Sequence, residues 1–151
     1  MRYIIFLVLN FAALALGSWL MGSTPVDNSW YQSVNKAPWT PPGWVFGFAW
    51  TTIMICYSIF MGKAIQVEGS AMMLYIMFAI QFVLNVMWNP VFFRWHMLGL
   101  SLVVILSLTV LIGWFTYWGF KNAGVWGVLM LPYIVWLCIA CSLNWYAFAK
   151  N

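Results

Sequence analysis

The sequence predicts an all-α integral membrane protein, a single domain (residues 1–151) folded as one bundle of five transmembrane helices. Composition is the first observation behind that class. Of 151 residues, 66% are hydrophobic and 5% are charged, against about 25% charged in an ordinary soluble domain. Charge placement is the second. Every Asp, Glu, Lys and Arg falls outside five apolar windows: residues 3–22, 43–62, 70–93, 97–120 and 123–149. Each window exceeds the ~18 residues that a helix needs to span a bilayer. The third is that no window shows the period-two polar alternation of a barrel strand, and lipid admits only helices or closed barrels. Net charge is +4, but the six basic residues are spread along the chain and form no nucleic-acid surface.

The first window follows Arg2 and ends in small residues near Ala13–Ser18, which resembles a secretory signal peptide. An apolar run of about twenty residues is long for a signal core, so we read it as the first span, with Asn10 facing protein. Residues 23–42 form the one long connection. Asp27 or Ser29 can cap a short turn there, in which Trp30 and Val34 share a face. A loop of this length with its own aromatics reads as a lid over a ligand. The lid runs into Pro38–Trp50, PWTPPGWVFGFAW, where Pro41 and Pro42 suit the entry to a helix. Thr40 can cap its first turn, and Trp39, Trp44 and Trp50 fall close together. The rigid proline turn is expected to aim Trp39 inward. The remaining gaps, residues 63–69, 94–96 and 121–122, are short, so neighbouring spans run as antiparallel hairpins. Three basic residues lie on each side of the membrane, so the positive-inside rule assigns no orientation.

Polar residues inside the spans are the next signal. In the third span, Gln81, Asn85, Trp88 or Asn89, and Phe92 fall along one face, and Pro90 deprives the Val86 carbonyl of its helical partner. In the fifth, Pro132, Trp136, Ala140 and Asn144 recur every four residues. The second contributes Trp50 and Tyr57, seven apart on one face. Each stripe alone reads as interhelical packing or as the wall of a pocket. Three stripes of like chemistry favour a shared cavity. Ala13/Gly17 and Gly43/Gly47 have the spacing of close helix contacts, which serve packing within a bundle more often than dimerisation.

Several classes are disfavoured. No span carries an acidic or basic side chain, as an ion-coupled transporter would require. The spans offer cysteine, hydroxyls, tyrosine and amides but no titrating acid–base pair, so no catalytic residue is assigned. Cys138 and Cys141 form C-x-x-C in mid-span, where ionisation is disfavoured; with Cys56 they read as small apolar residues, and no metal site is expected. His96, the lone histidine, lies at a membrane boundary, so no span encodes an axial haem ligand.

At this point the residues resemble a family. The lid pattern WYxxxxKxPWxPP, then QxxLNxxW…FF, then PYxxWxxxAxxLN are similar to the TspO family, the tryptophan-rich sensory proteins related to the translocator protein or peripheral benzodiazepine receptor. The likeness covers the whole chain, with one departure: in Lys36-Ala37-Pro38-Trp39 the proline sits one place later than the family's usual Lys-Pro. The resemblance implies a multi-pass membrane receptor or sensor, usually a homodimer, in a bacterial membrane. Its ligands would be tetrapyrroles (porphyrin or haem, bound as ligand with no cofactor required) and other large apolar molecules. Those include sterols and isoquinoline- or benzodiazepine-type compounds. It assigns pocket roles to Tyr31 and Trp39 in the lid, Trp50, Asn85 and Trp88, and Trp136 and Ala140; Tyr57 and Asn144 join them from the stripes above. Leu143, Tyr146 and Lys150 fit a proposed sterol pattern, although such residues at a helix end also serve as interfacial anchors. A tetrapyrrole is a flat apolar disc with acidic edges, which indole faces can stack on while amides and interfacial cations meet its carboxylates. Light- or oxygen-dependent porphyrin breakdown is the alternative function, and a purely structural membrane subunit the third.

Overall fold

The computed structural model describes residues 1–151, and its secondary structure is helical throughout. Helix α1 spans Arg2–Met21, the short α2 Ser29–Ser33, α3 Gly43–Ala64, α4 Ala71–Asn89, α5 Leu98–Asn122 and α6 Leu131–Lys150. Five segments are long and apolar enough to cross a membrane, and they match the five charge-free windows to within two residues at each end. The fifth differs in kind from the expectation of one α-helix. Its first turns, Gly124–Met130, are a 3₁₀ segment, and α6 begins at Leu131 with Pro132 in its first turn. Proline fixes φ and needs no backbone partner there, so the change of helix type falls at that point.

Pro90 reshapes the end of the third span. Without its N–H the regular ladder fails, and residues Pro90–Arg94 wind as a π turn in which the Trp95 N–H donates to the Pro90 carbonyl at 2.9 Å. One-turn π segments recur at functional sites. Here the turn directs Phe92 and Phe93 inward beneath the lid, where they form a small cluster with Val34 and Ala147.

The main core lies nearer the opposite membrane face. Tyr57, Phe60, Ile112, Phe115, Met130 and Leu137 are fully buried in it. Helix α1 packs on α3 and α4, and α5 on α4 and α6. Asn10 faces protein as expected: its amide donates to the Ser58 hydroxyl at 2.8 Å, and Ser58 in turn donates to the Met54 carbonyl. Around the perimeter, Val8, Val83, Val103, Val110 and Val135 point outward. In water such a surface would aggregate; in hydrocarbon it is the surface that needs no burial. The chain is therefore an integral, multi-pass membrane protein.

Candidate ligand-binding site

The lid is folded rather than loose. Asn28, not Asp27 or Ser29, caps α2: its Oδ1 accepts from the Tyr31 N–H at 2.9 Å while its Nδ2 donates to the Phe93 carbonyl at 3.0 Å. One side chain thus satisfies a helix terminus and fastens the lid to the π turn. Asp27 instead accepts from the Thr24 hydroxyl. Trp30 stacks on His96 with ring centres 4.1 Å apart and meets Phe92 edge-on. Thr40 does not cap α3 either. Its hydroxyl donates to the Ala37 carbonyl, which tightens the turn before Pro41, and Pro42 takes the cap position.

The far edge of the lid is latched to α6. The Asn35 N–H donates to Asn151 Oδ1 at 2.9 Å, and the Trp39 indole N–H donates to the Ser142 hydroxyl at 3.1 Å. Trp39 also packs edge-on against Tyr146. The expectation that the Pro41-Pro42 turn aims Trp39 inward is therefore not met: its indole is 54% exposed and borders none of the cavities beneath the lid. Its hydrogen bond to α6 sets that direction.

Beneath the lid is a chamber of about 520 Å³, within the ~300–1,000 Å³ range of small-molecule sites. Leu14, Ser18 and Met21 of α1 form one wall, and Gly43, Phe46, Gly47, Trp50 and Thr51 of α3 another. Asn85, Trp88 and Asn89 of α4, with Phe93, close the back, while Tyr31, Gln32, Lys36 and Thr40 form the roof. Four residues picked from the sequence, Tyr31, Trp50, Asn85 and Trp88, meet here. Trp88 is held in place: its indole N–H donates to Asn144 Oδ1 at 3.0 Å, and Asn144 is also bonded to Ser101. Asn144 therefore positions the wall rather than lining the chamber. Asn85 is 4% exposed, and its side-chain amide makes no hydrogen bond within the protein. A buried amide at a cavity wall with open bonding capacity can meet a polar group that enters the space. Burial raises the pKa of the Tyr31 phenol further above its ordinary value.

The rest of the expected pocket lies elsewhere. Two small voids of about 50 and 30 Å³ adjoin the chamber and share Phe46 and Trp88 with it, and Ala140 borders both of those. Trp136 borders the smaller void and meets Phe46 edge-on at 5.2 Å. Tyr57 is fully buried among Phe78, Phe115 and Tyr133, remote from the chamber wall. It shares a helix face with Trp50 but sits two turns deeper. Leu143, Tyr146 and Lys150 do not form one free strip. Leu143 turns toward the 50 Å³ void, Tyr146 is covered by Trp39, and the Lys150 carbonyl accepts from Asn35. The sequence reading missed Phe46 and Gly47. The signal was present: Gly43/Gly47 and Phe46/Trp50 are i,i+4 pairs, and such pairs lie together on a helix surface. The three cysteines are free thiols; Cys138 faces outward and Cys141 lies 3.1 Å from the Thr109 hydroxyl.

Five membrane-crossing helices and an aromatic chamber roofed by a folded loop define a helical membrane protein with an internal cavity. The chain belongs to the TspO/MBR family, which it matches over residues 5–149. It is 34% identical over 146 residues to a tryptophan-rich sensory protein of Cereibacter sphaeroides, an alignment covering 96% of this chain and 91% of that protein. Protein CrtK of Rhodobacter capsulatus is 34% identical over 131 residues, covering 82% and 79% of the two chains. The human translocator protein is 27% identical over 133 residues, covering 81% and 75%.

Proposed function

We propose that this protein is a membrane receptor of sensor or transport type that binds tetrapyrroles in the chamber beneath the lid. The observation that carries this reading is the conjunction of Trp50, Trp88 and Tyr31 with the unbonded amide of Asn85 around one 520 Å³ space. Indole faces suit a flat conjugated ring, and a buried amide suits its polar edge. Relatives named as a sensory protein and as a translocator protein support the broader role. Sterols and isoquinoline- or benzodiazepine-type compounds are further ligands that the family resemblance suggests, as it does a homodimer in the bilayer. Titration of the detergent-purified protein with a free-base porphyrin is the test. Saturable quenching of tryptophan fluorescence at a stoichiometry of about one ligand per chain is expected; linear quenching without saturation marks partitioning into detergent and contradicts the reading.

A second reading, breakdown of a bound porphyrin in light, is favoured by two indoles on the chamber wall, Trp50 and Trp88. Trp50 also lies edge-on to Tyr133, ring centres 6.0 Å apart. Illumination of the saturated complex in air should then bleach the porphyrin faster than it does in detergent alone.

A further inference from the structure

The chamber combines a single cation with an aromatic lining. The chain has two acidic side chains, and neither reaches the chamber. Asp27 is bonded to Thr24 on the outer side of the lid, and Glu68 lies in the α3–α4 connection at the opposite end of the bundle. Lys36 is the one basic residue on the chamber wall, and it also borders the 50 Å³ void between lid and α6. It is half-buried. Its ammonium sits 4.7 Å from the centre of the Tyr31 ring and 3.4 Å from the Gln32 carbonyl. An ammonium has three donors, and the protein offers this one a single long hydrogen bond and a ring face. A half-buried cation so weakly partnered gains from an anion that enters the same space, because a charge-assisted hydrogen bond is about twice as strong as a neutral one.

The aromatic part of the lining is Trp50, Trp88 and Phe46, joined by the Asn85 amide. A ligand that satisfies both the cation and the indoles has a flat apolar body and an acidic edge. The body lies against the indoles and the acid points up to the lid.

We propose that Lys36 is the specificity-determining residue of the chamber and selects amphipathic carboxylic acids over neutral ligands of the same shape. Binding exchanges the Gln32 carbonyl and the Tyr31 ring for a ligand carboxylate as the partner of the ammonium. The proposal rests on the chamber being the porphyrin site, and it adds the charge class of the ligand. Neutral aromatics and sterols then belong to the weaker-binding class.

The experiment compares a porphyrin dicarboxylic acid with its dimethyl ester, titrated into the full-length protein in a neutral detergent. The two share one ring system and differ in charge. Wild type is expected to bind the acid at least tenfold more tightly than the ester. Within Lys36→Met the acid and the ester should bind equally, while Lys36→Arg, which keeps the charge, should retain the preference for the acid. Equal binding of acid and ester by wild type overturns the charge selection while leaving the chamber reading intact, and needs no variant to fold. A preference that survives in Lys36→Met overturns the role of Lys36. Failure of both ligands to bind wild type saturably removes the chamber reading, and this inference with it.

Discussion

The two ends of α3 use glycine for opposite purposes. Far from the lid, a Cβ on Gly62 would overlap the Tyr3 ring, and one on Gly119 would stand 2.8 Å from Phe60 and 3.2 Å from Gly127 Cα. There, absence of a side chain lets helices touch. At the lid end, a Cβ on Gly43 or Gly47 would have no neighbour within 4 Å. There, absence of a side chain widens a space instead. Spacing does not distinguish the two cases: Gly43 and Gly47 look like a helix-contact pair and in fact line the chamber. Close packing at one end of α3 thus contrasts with an open cavity at the other. Gly17 follows the first pattern, with Asn89 Nδ2 2.6 Å from where its Cβ would be, and so ties α1 to the back of the chamber.

The largest effect should come from breaking the tight end. In Gly127→Ala the new Cβ would meet Phe120 N at 2.6 Å and Gly119 C at 2.8 Å. These are backbone atoms, which cannot swing aside, so a loss of about 3 kcal/mol is expected from overpacking. Thermal unfolding in detergent would show it as a lowered midpoint; a Gly127→Ala protein as stable as wild type would mean that the α5–3₁₀ contact is soft. A second contrast lies along α3 itself. Trp50→Ala should lower porphyrin affinity more than tenfold, since loss of a buried aromatic anchor costs at least ~2 kcal/mol. Retained affinity in a folded Trp50→Ala protein would take the indole off the ligand. The smallest effect is expected seven residues on. The Tyr57 hydroxyl is buried with no hydrogen-bond partner, so Tyr57→Phe removes an unsatisfied group and should leave stability equal or slightly improved. Porphyrin affinity should be unchanged. A binding defect in Tyr57→Phe would extend the site into the core and blur the division between the two ends.

The five spans were legible because desolvating a charge in lipid is costly, so charges mark the boundaries directly. The consequence of Pro90 was half legible. Loss of the Val86 partner follows from proline chemistry, whereas the π turn that absorbs it, and the inward swing of Phe92 and Phe93, depend on neighbouring elements. For the site, helical periodicity gave direction but not depth. Trp50 and Tyr57 share a face, yet one borders the chamber and the other is buried against α5 and the last span. Trp136 and Ala140 share a stripe with Asn144, but they border the small voids beside Phe46 rather than the chamber, and nothing local in the sequence says so. Trp39 could not be placed by its rigid turn, because Ser142 and Tyr146, more than a hundred residues away, fix its orientation.

If a porphyrin binds in the chamber, it occupies the space beside Gly47. Gly47→Leu fills that space, since the leucine would project into the chamber without meeting any atom within 4 Å of its Cβ and without touching the tight end. Porphyrin titrations of wild type and Gly47→Leu, with thermal unfolding run in parallel, give both quantities at once. The unfolding midpoint should lie at or slightly above that of wild type, because leucine is a better helix former than glycine. Porphyrin affinity should fall at least tenfold. Wild-type affinity in a folded Gly47→Leu protein would move the ligand out of the chamber.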